Sequence, residues 1–188
     1  MKENSVIKGK KILVGVTGSI AAYKTCSLIN NLLKIGADVR VVMTEAATNF
    51  VTATTFQALT NHPVATDLWQ TNDPESVEHI SLSHWPDIIV IAPATSNTIS
   101  KIALGISDNM LTTIIAAALP ETRILIAPAM NVNMWNNPVF QQNLNKLMGD
   151  KKYLLIEPEE GLLACRDVGK GKIADTDNII RAIEKNIV

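Results

Sequence analysis

Apolar positions along the chain gather into short continuous runs, and the segments between them carry apolar residues at helical spacing. KILVGVT (11–17) has the length and composition of a strand. Behind it Ile20, Leu28, Leu32 and Ile35 recur near the helical period, which predicts a helix over 19–35 stopped by Gly36. ADVRVVMT (37–44) predicts a second strand, 45–59 a helix weakened by its threonines, 64–68 a short strand, and 76–85 a short helix ended by Pro86. DIIVIAP (87–93) and RILIAPA (123–129) are apolar throughout, as strands covered on both faces are. The stretch between them, 96–119, predicts a helix in two pieces broken near 105–108. A helix over 138–148, a strand at YLLIEP (153–158) and a helix over 175–187 complete the pattern. EEGLLACRDVGKGK (159–172) is left as one long loop, and loops of that length in compact domains are often functional lids.

Strands alternating with helices at these distances imply parallel strands joined by right-handed crossovers. The expected architecture is therefore a single α/β domain over 1–188, three layers α/β/α around an open parallel sheet. Composition narrows the function. The 188 residues are 47% hydrophobic and 19% charged, enough for one substantial core. Lys plus Arg number 17 and Asp plus Glu 18, so no excess charge invites nucleic acid or an anionic membrane. No apolar run reaches the roughly 18 residues of a membrane span. The N-terminal MKENSVIKGKK has no apolar core of leader-peptide length, so a cytoplasmic protein is expected. Cys26 and Cys165 form no disulfide framework, and Cys26 falls on an apolar helix stripe as a packing residue. No metal site is expected, and His62, beside Pro63, has the setting of a turn residue.

In open sheets of this kind ligands bind beyond the carboxyl ends of the strands. The first end reads GVTGSIAAYK, where Gly18 and Ser19 stand at a helix start whose amide N–H groups suit a phosphate. Neither a Walker loop nor the G-x-G-x-x-G fingerprint is present. The second strand ends in Thr44, where a dinucleotide site wants an acid, although Glu45 is next; this favours a mononucleotide. A plain turn with Ser19 as helix cap is the competing reading. The third strand runs into Thr95, Ser96, Asn97 and Thr98, more hydrogen-bonding side chains than one cap requires. Beyond them Met110 and Thr112 suit the rim and edge of a flat heterocycle. The fourth strand runs into IAPAMNVNMWNNP (126–138). Met134 and Trp135 stand equally well as core. Asn131 is a neutral amide that can hold a carboxylate without the charge that would oppose its departure as CO2.

PATSNT (93–98), PAMNVNMW (128–135) and TGSIAA (17–22), in that register, resemble the motifs of the flavin-containing cysteine decarboxylases. The resemblance implies a flavodoxin-like, Rossmann-like sheet and FMN held between subunits of a trimer or of a dodecamer of trimers. The cofactor residues it implies are Gly18, Ser19, Ile20, Thr44, Ala94, Thr95, Asn97, Met110 and Thr112. His79 in EHISLSHW and Cys165 in LLACRDVGKGK match the histidine and loop cysteine of the branch acting on 4'-phosphopantothenoylcysteine in coenzyme A biosynthesis. The implied roles are His79 as base, Asn131 as carboxylate anchor, Cys165 as proton donor and Lys172 as phosphate ligand, with Ala164 and Met134 beside the substrate. The implied chemistry passes through a thioaldehyde and an enethiol. Two positions depart from the family pattern: Arg166 replaces a loop glycine, and His84 stands where relatives carry Arg or Lys. A synthetase making the substrate is expected as a separate protein. Decarboxylation of a peptide's cysteine, or a non-catalytic FMN-binding regulatory role, are the alternatives.

Overall fold

The computed structural model describes residues 5–69 and 78–187. The strands are β1 (Lys11–Val16), β2 (Asp38–Met43), β3 (Ile88–Ala94), β4 (Arg123–Pro128) and β5 (Tyr153–Leu155), followed by β6 (Glu159–Leu162) and β7 (Val168–Lys172). The first five form a parallel sheet in the order β2-β1-β3-β4-β5, the doubly wound flavodoxin-like arrangement, with its switch point between β1 and β3. The helices are α1 (Ala22–Ile35), α2 (Glu45–Thr48), α3 (Ala53–Thr60), α4 (Glu78–His84), α5 (Ser96–Leu104), α6 (Met110–Ala117), α7 (Val132–Trp135), α8 (Pro138–Met148) and α9 (Thr176–Asn186).

Strand periodicity builds the layers. Ile12, Val14, Val16, Ile88, Val90, Leu125 and Ala127 point to one face, where α1, α3 and α9 cover them. Leu13, Ile89, Ile91, Ile124 and Ile126 point to the other, under α4, α5, α6 and α8. Gly15 leaves room for that second layer: a Cβ there would come within 2.7 Å of Leu111 Cδ1. Helix α1 buries Ala22, Thr25, Leu28, Ile29 and Leu32 and ends at Gly36, whose φ of 94° is left-handed. Burial raises the Cys26 thiol above its ordinary pKa, in keeping with a packing role.

Several expectations change. Helix α1 begins at Ala22 rather than 19, because residues 18–21 form a turn in which Ser19 Oγ accepts from Ala21 N–H at 3.2 Å. The span 45–59 splits into α2 and α3. Residues 64–68 contribute only a bridge between Ala65 and Val42. Of the expected helix 76–85, residues 76 and 77 lie outside the described residues, and the rest is α4. The long loop at 159–172 is a β-hairpin, β6 paired antiparallel with β7. His62 is more than a turn residue, since its Nε2 lies 3.2 Å from Asp38 Oδ1.

The β3–β4 ladder shifts register between Ile91 and Ala94. Carbonyls released there are satisfied by buried hydroxyls: Thr25 Oγ1 donates to Ala92 O and Thr17 Oγ1 to Pro93 O, both at 2.7 Å. Thr17 Oγ1 also accepts from Thr95 N–H at 3.0 Å, tying the ends of β1 and β3 together at the switch point.

Candidate active site

A cavity of about 520 Å³ lies at the carboxyl edge of the sheet. Its walls are the turn after β1, the exit of β4 and the β6–β7 hairpin. Among the residues expected at the site, Ser19, Ile20, Asn131, Ala164, Cys165 and Lys172 line it. Tyr23 and Lys24, on the first turns of α1, line it too. The sequence reading missed both, although they belong to the stretch quoted for the phosphate turn.

The turn after β1 is built by close packing. A Cβ on Gly18 would meet Ala46 Cβ at 2.6 Å, so only glycine lets this turn approach the start of α2. Thr44, between β2 and α2, donates its N–H to Val16 O at 3.0 Å. Its Oγ1 is buried with no hydrogen-bond partner among the described residues. A buried hydroxyl left unpaired costs on the order of 1–3 kcal/mol, and a ligand oxygen at this edge would satisfy it. At α1, Ala21 occupies the N-cap and supplies no side-chain cap, and in the first turn Ala22 N–H donates to Ser19 O at 2.9 Å and Lys24 N–H to Ala21 O at 3.0 Å. These features fit a phosphorylated mononucleotide such as FMN.

The other expected cofactor residues do not line this cavity, although Ala94 O accepts from the N–H of Ala129, which does. Thr95 caps α5, and its Oγ1 donates to Thr98 Oγ1 at 3.2 Å. Ala94 is buried at the end of β3, and Asn97 is exposed on α5. Thr112 closes a capping box with Asn109 at the start of α6, where Met110 is buried in the second core layer. Local capping accounts for the hydroxyls of Thr95 and Thr112. Met134 is 48% exposed on α7, while Trp135 is buried and packs against Phe140 with ring centroids 5.8 Å apart.

Asn131 is held by its own helix. It is the N-cap of α7, and its Oδ1 accepts from Asn133 N–H at 2.7 Å. With the oxygen committed to the cap, Nδ2 faces the hairpin, 3.2 Å from Cys165 Sγ. Glycines bring the hairpin this close. Met130 N–H donates to Gly171 O at 3.0 Å. A Cβ on Gly171, whose φ is 149°, would meet Met130 O at 2.3 Å, and one on Gly169 would meet Val132 Cγ2 at 2.7 Å.

Lys172 Nζ pairs with Glu159 Oε2 at 3.0 Å across the base of the hairpin. The hydrogen bond and charge of Glu159 raise the Lys172 ammonium above its ordinary pKa. Burial works to raise Glu159, but the Asp175 N–H and the Lys172 ammonium outweigh it and hold the carboxyl below its usual value. Lys172 therefore reaches the cavity already engaged with a carboxylate. His79 is half-buried near the start of α4, which packs on α6 in the layer opposite α1. His84 closes the same helix.

A close-packed turn, an orphaned hydroxyl and a thiol-bearing hairpin thus lie along the carboxyl edge of a doubly wound 2-1-3-4-5 α/β sheet. The Flavoprotein family model matches residues 1–188, and the chain belongs to that family. It is 45% identical over 181 residues to the coenzyme A biosynthesis bifunctional protein CoaBC of Bacillus subtilis, covering 96% of this chain and 44% of that one. It is 43% identical over 179 residues to a probable phosphopantothenoylcysteine decarboxylase of Streptococcus mutans, covering 95% and 99%. The chain thus spans less than half of the bifunctional relative and nearly all of the second. Among solved structures, a cysteine-to-serine mutant of PPC decarboxylase complexed with pantothenoylaminoethenethiol superposes with a TM-score of 0.84 at 34% identity, over 95% of this chain and 98% of that one. The FMN-dependent cysteine decarboxylase SpaF does so at 0.83 and 30% identity, over 97% of each.

Proposed function

We propose that this chain decarboxylates 4'-phosphopantothenoylcysteine to 4'-phosphopantetheine, a step of coenzyme A biosynthesis, with FMN as cofactor. The observation that carries the proposal is the cap-oriented Asn131 amide, 3.2 Å from Cys165 Sγ at the mouth of the cavity. Gly18, Ser19 and Thr44 would hold the FMN phosphate and its neighbouring oxygens, with Ile20 against the ring. FMN, once bound, supplies a reversible acceptor for two electrons.

The protein's own groups supply position and protons. Asn131 donates to the substrate carboxylate without a charge, so it orients the group and does not resist its loss. Cys165 then stands beside the carbon that the carboxylate leaves, where a proton must be returned. A PPC decarboxylase lacking a cysteine, complexed with an ethenethiol, supports this assignment. His79 takes a proton from the substrate during its oxidation. Lys172, shared with Glu159, and Lys24 face the same cavity and meet the substrate phosphate. Because α4 lies in the layer opposite the cavity's α1, His79 enters from a neighbouring copy, which fits a trimer or a dodecamer of trimers. The protein works in the cytoplasm alongside a synthetase that makes its substrate.

The test is anaerobic mixing of the purified yellow protein with 4'-phosphopantothenoylcysteine. The flavin absorbance bleaches and recovers while CO2 is released. A preparation that neither carries nor takes up FMN overturns the proposal. Equal turnover of a peptide ending in cysteine reassigns the substrate.

A further inference from the structure

The Asn131 amide and the Cys165 thiol share a third partner. Asp167, at the end of the hairpin tip, places Oδ2 2.9 Å from Asn131 Nδ2 and 3.3 Å from Cys165 Sγ, accepting from both. The tip geometry puts it there. Arg166 N–H donates to Leu163 O and Leu163 N–H to Asp167 O, each at 2.8 Å, closing a three-residue hairpin turn. Such turns end in a left-handed residue, and here that is Arg166 at φ 69°. One carboxylate oxygen therefore occupies both donors that decarboxylation uses: the amide that anchors the substrate carboxylate and the thiol that returns a proton.

We infer that Asp167 is a resident stand-in for the substrate carboxylate. Its side chain holds the Asn131 amide before substrate binds, and the incoming carboxylate displaces it. In withdrawing it frees the Cys165 thiol to face the substrate. Two carboxylates on one amide repel each other, and Asp167 is exposed, so it withdraws into water and no core contact is broken. A ligand without a carboxylate offers nothing to replace Asp167 on the amide and leaves the thiol engaged. Asp167 is thus a positioning residue that holds the amide and the thiol until a carboxylated ligand takes its place, at a cost to that ligand's affinity. The inference rests on the roles proposed for Asn131 and Cys165.

The test uses FMN-loaded protein in a His79→Asn background, so that substrate binds without turnover. Flavin fluorescence is titrated with 4'-phosphopantothenoylcysteine and separately with 4'-phosphopantetheine. Asp167→Ala tightens the carboxylated ligand about tenfold, and Asp167→Asn, which keeps shape and removes charge, about threefold; the product's affinity shifts less than about twofold in either. Without ligand, Cys165 in Asp167→Ala is alkylated by iodoacetamide several-fold faster. An equal shift for both ligands, or no tightening in either variant, overturns the inference while leaving the proposed function intact. If the FMN-loaded parent binds neither ligand, the proposed function fails and the inference falls with it.

Discussion

Asn131 does two jobs with one side chain. Its oxygen caps α7 and its nitrogen is turned to the hairpin, so the residue type is fixed by both ends of the amide. Asn131→Asp keeps an acceptor for the cap, removes both donors and adds a charge. Loss of a hydrogen bond to a charged group is worth roughly 1.5–3 kcal/mol, so substrate affinity should fall about tenfold or more. FMN retention should be unchanged. Titration of flavin fluorescence checks both, and undiminished affinity removes the amide from carboxylate binding. The motif PAMNVNMW singles out Asn131 in the sequence, but not the direction of its amide, which depends on a bond to Asn133. Thr17 was equally hidden. A threonine closing a strand looks like any other until the register shift opposite it exposes a carbonyl to satisfy. In Thr95 and Thr112 the hydroxyls that suggested ligand contacts are engaged in caps.

At the scale of the element, the hairpin is where sequence and structure diverge most. Strands announce themselves by alternating apolar residues, and VGKGK has only Val168. Its inward positions are glycines because its backbone packs against the Met130 carbonyl and the Val132 side chain. The buried strands β1, β3 and β4 were legible for the opposite reason, being apolar on both faces. The hairpin's base is clasped by Glu159 and Lys172, and the clasp has a pH window. Glu159 titrates below its ordinary value, so its contribution is complete above the usual carboxylate range and is lost as pH falls through the lowered value. Lys172 titrates above its ordinary value, so its contribution holds through neutrality and is lost as pH rises through the raised value. The NMR amide shifts of Gly169 and Gly171 should therefore stay constant around neutrality and move at both extremes. Glu159→Gln should show displaced shifts already at pH 7, and wild-type shifts in that variant would mean the clasp does not hold the hairpin.

For the whole molecule, the informative fact is that α4, which carries His79, and α1, which lines the cavity with Cys165, cover opposite faces of the sheet. Helix α4 belongs to the side covered by α6, whereas the cavity opens against α1. Sequence order gives no sign of this, since layer membership follows from the crossover of each helix over the sheet. If one substrate meets both residues, they come from two copies. Inactive His79→Asn and Cys165→Ser proteins, mixed in equal amounts and reassembled, should then regain turnover, about a quarter of wild type in a statistical trimer. No recovery in mixtures verified to exchange subunits would confine each site to one chain.

The backbone joint between Gly171 and Met130 has a wider consequence. With no side chain between them, the flap and the sheet edge cannot slide past each other, which leaves only the five residues Leu163–Asp167 beyond the last paired rung to adapt to what enters. New specificities can be written into that short segment by exchange, with the turn after β1 on the far side of the cleft left untouched.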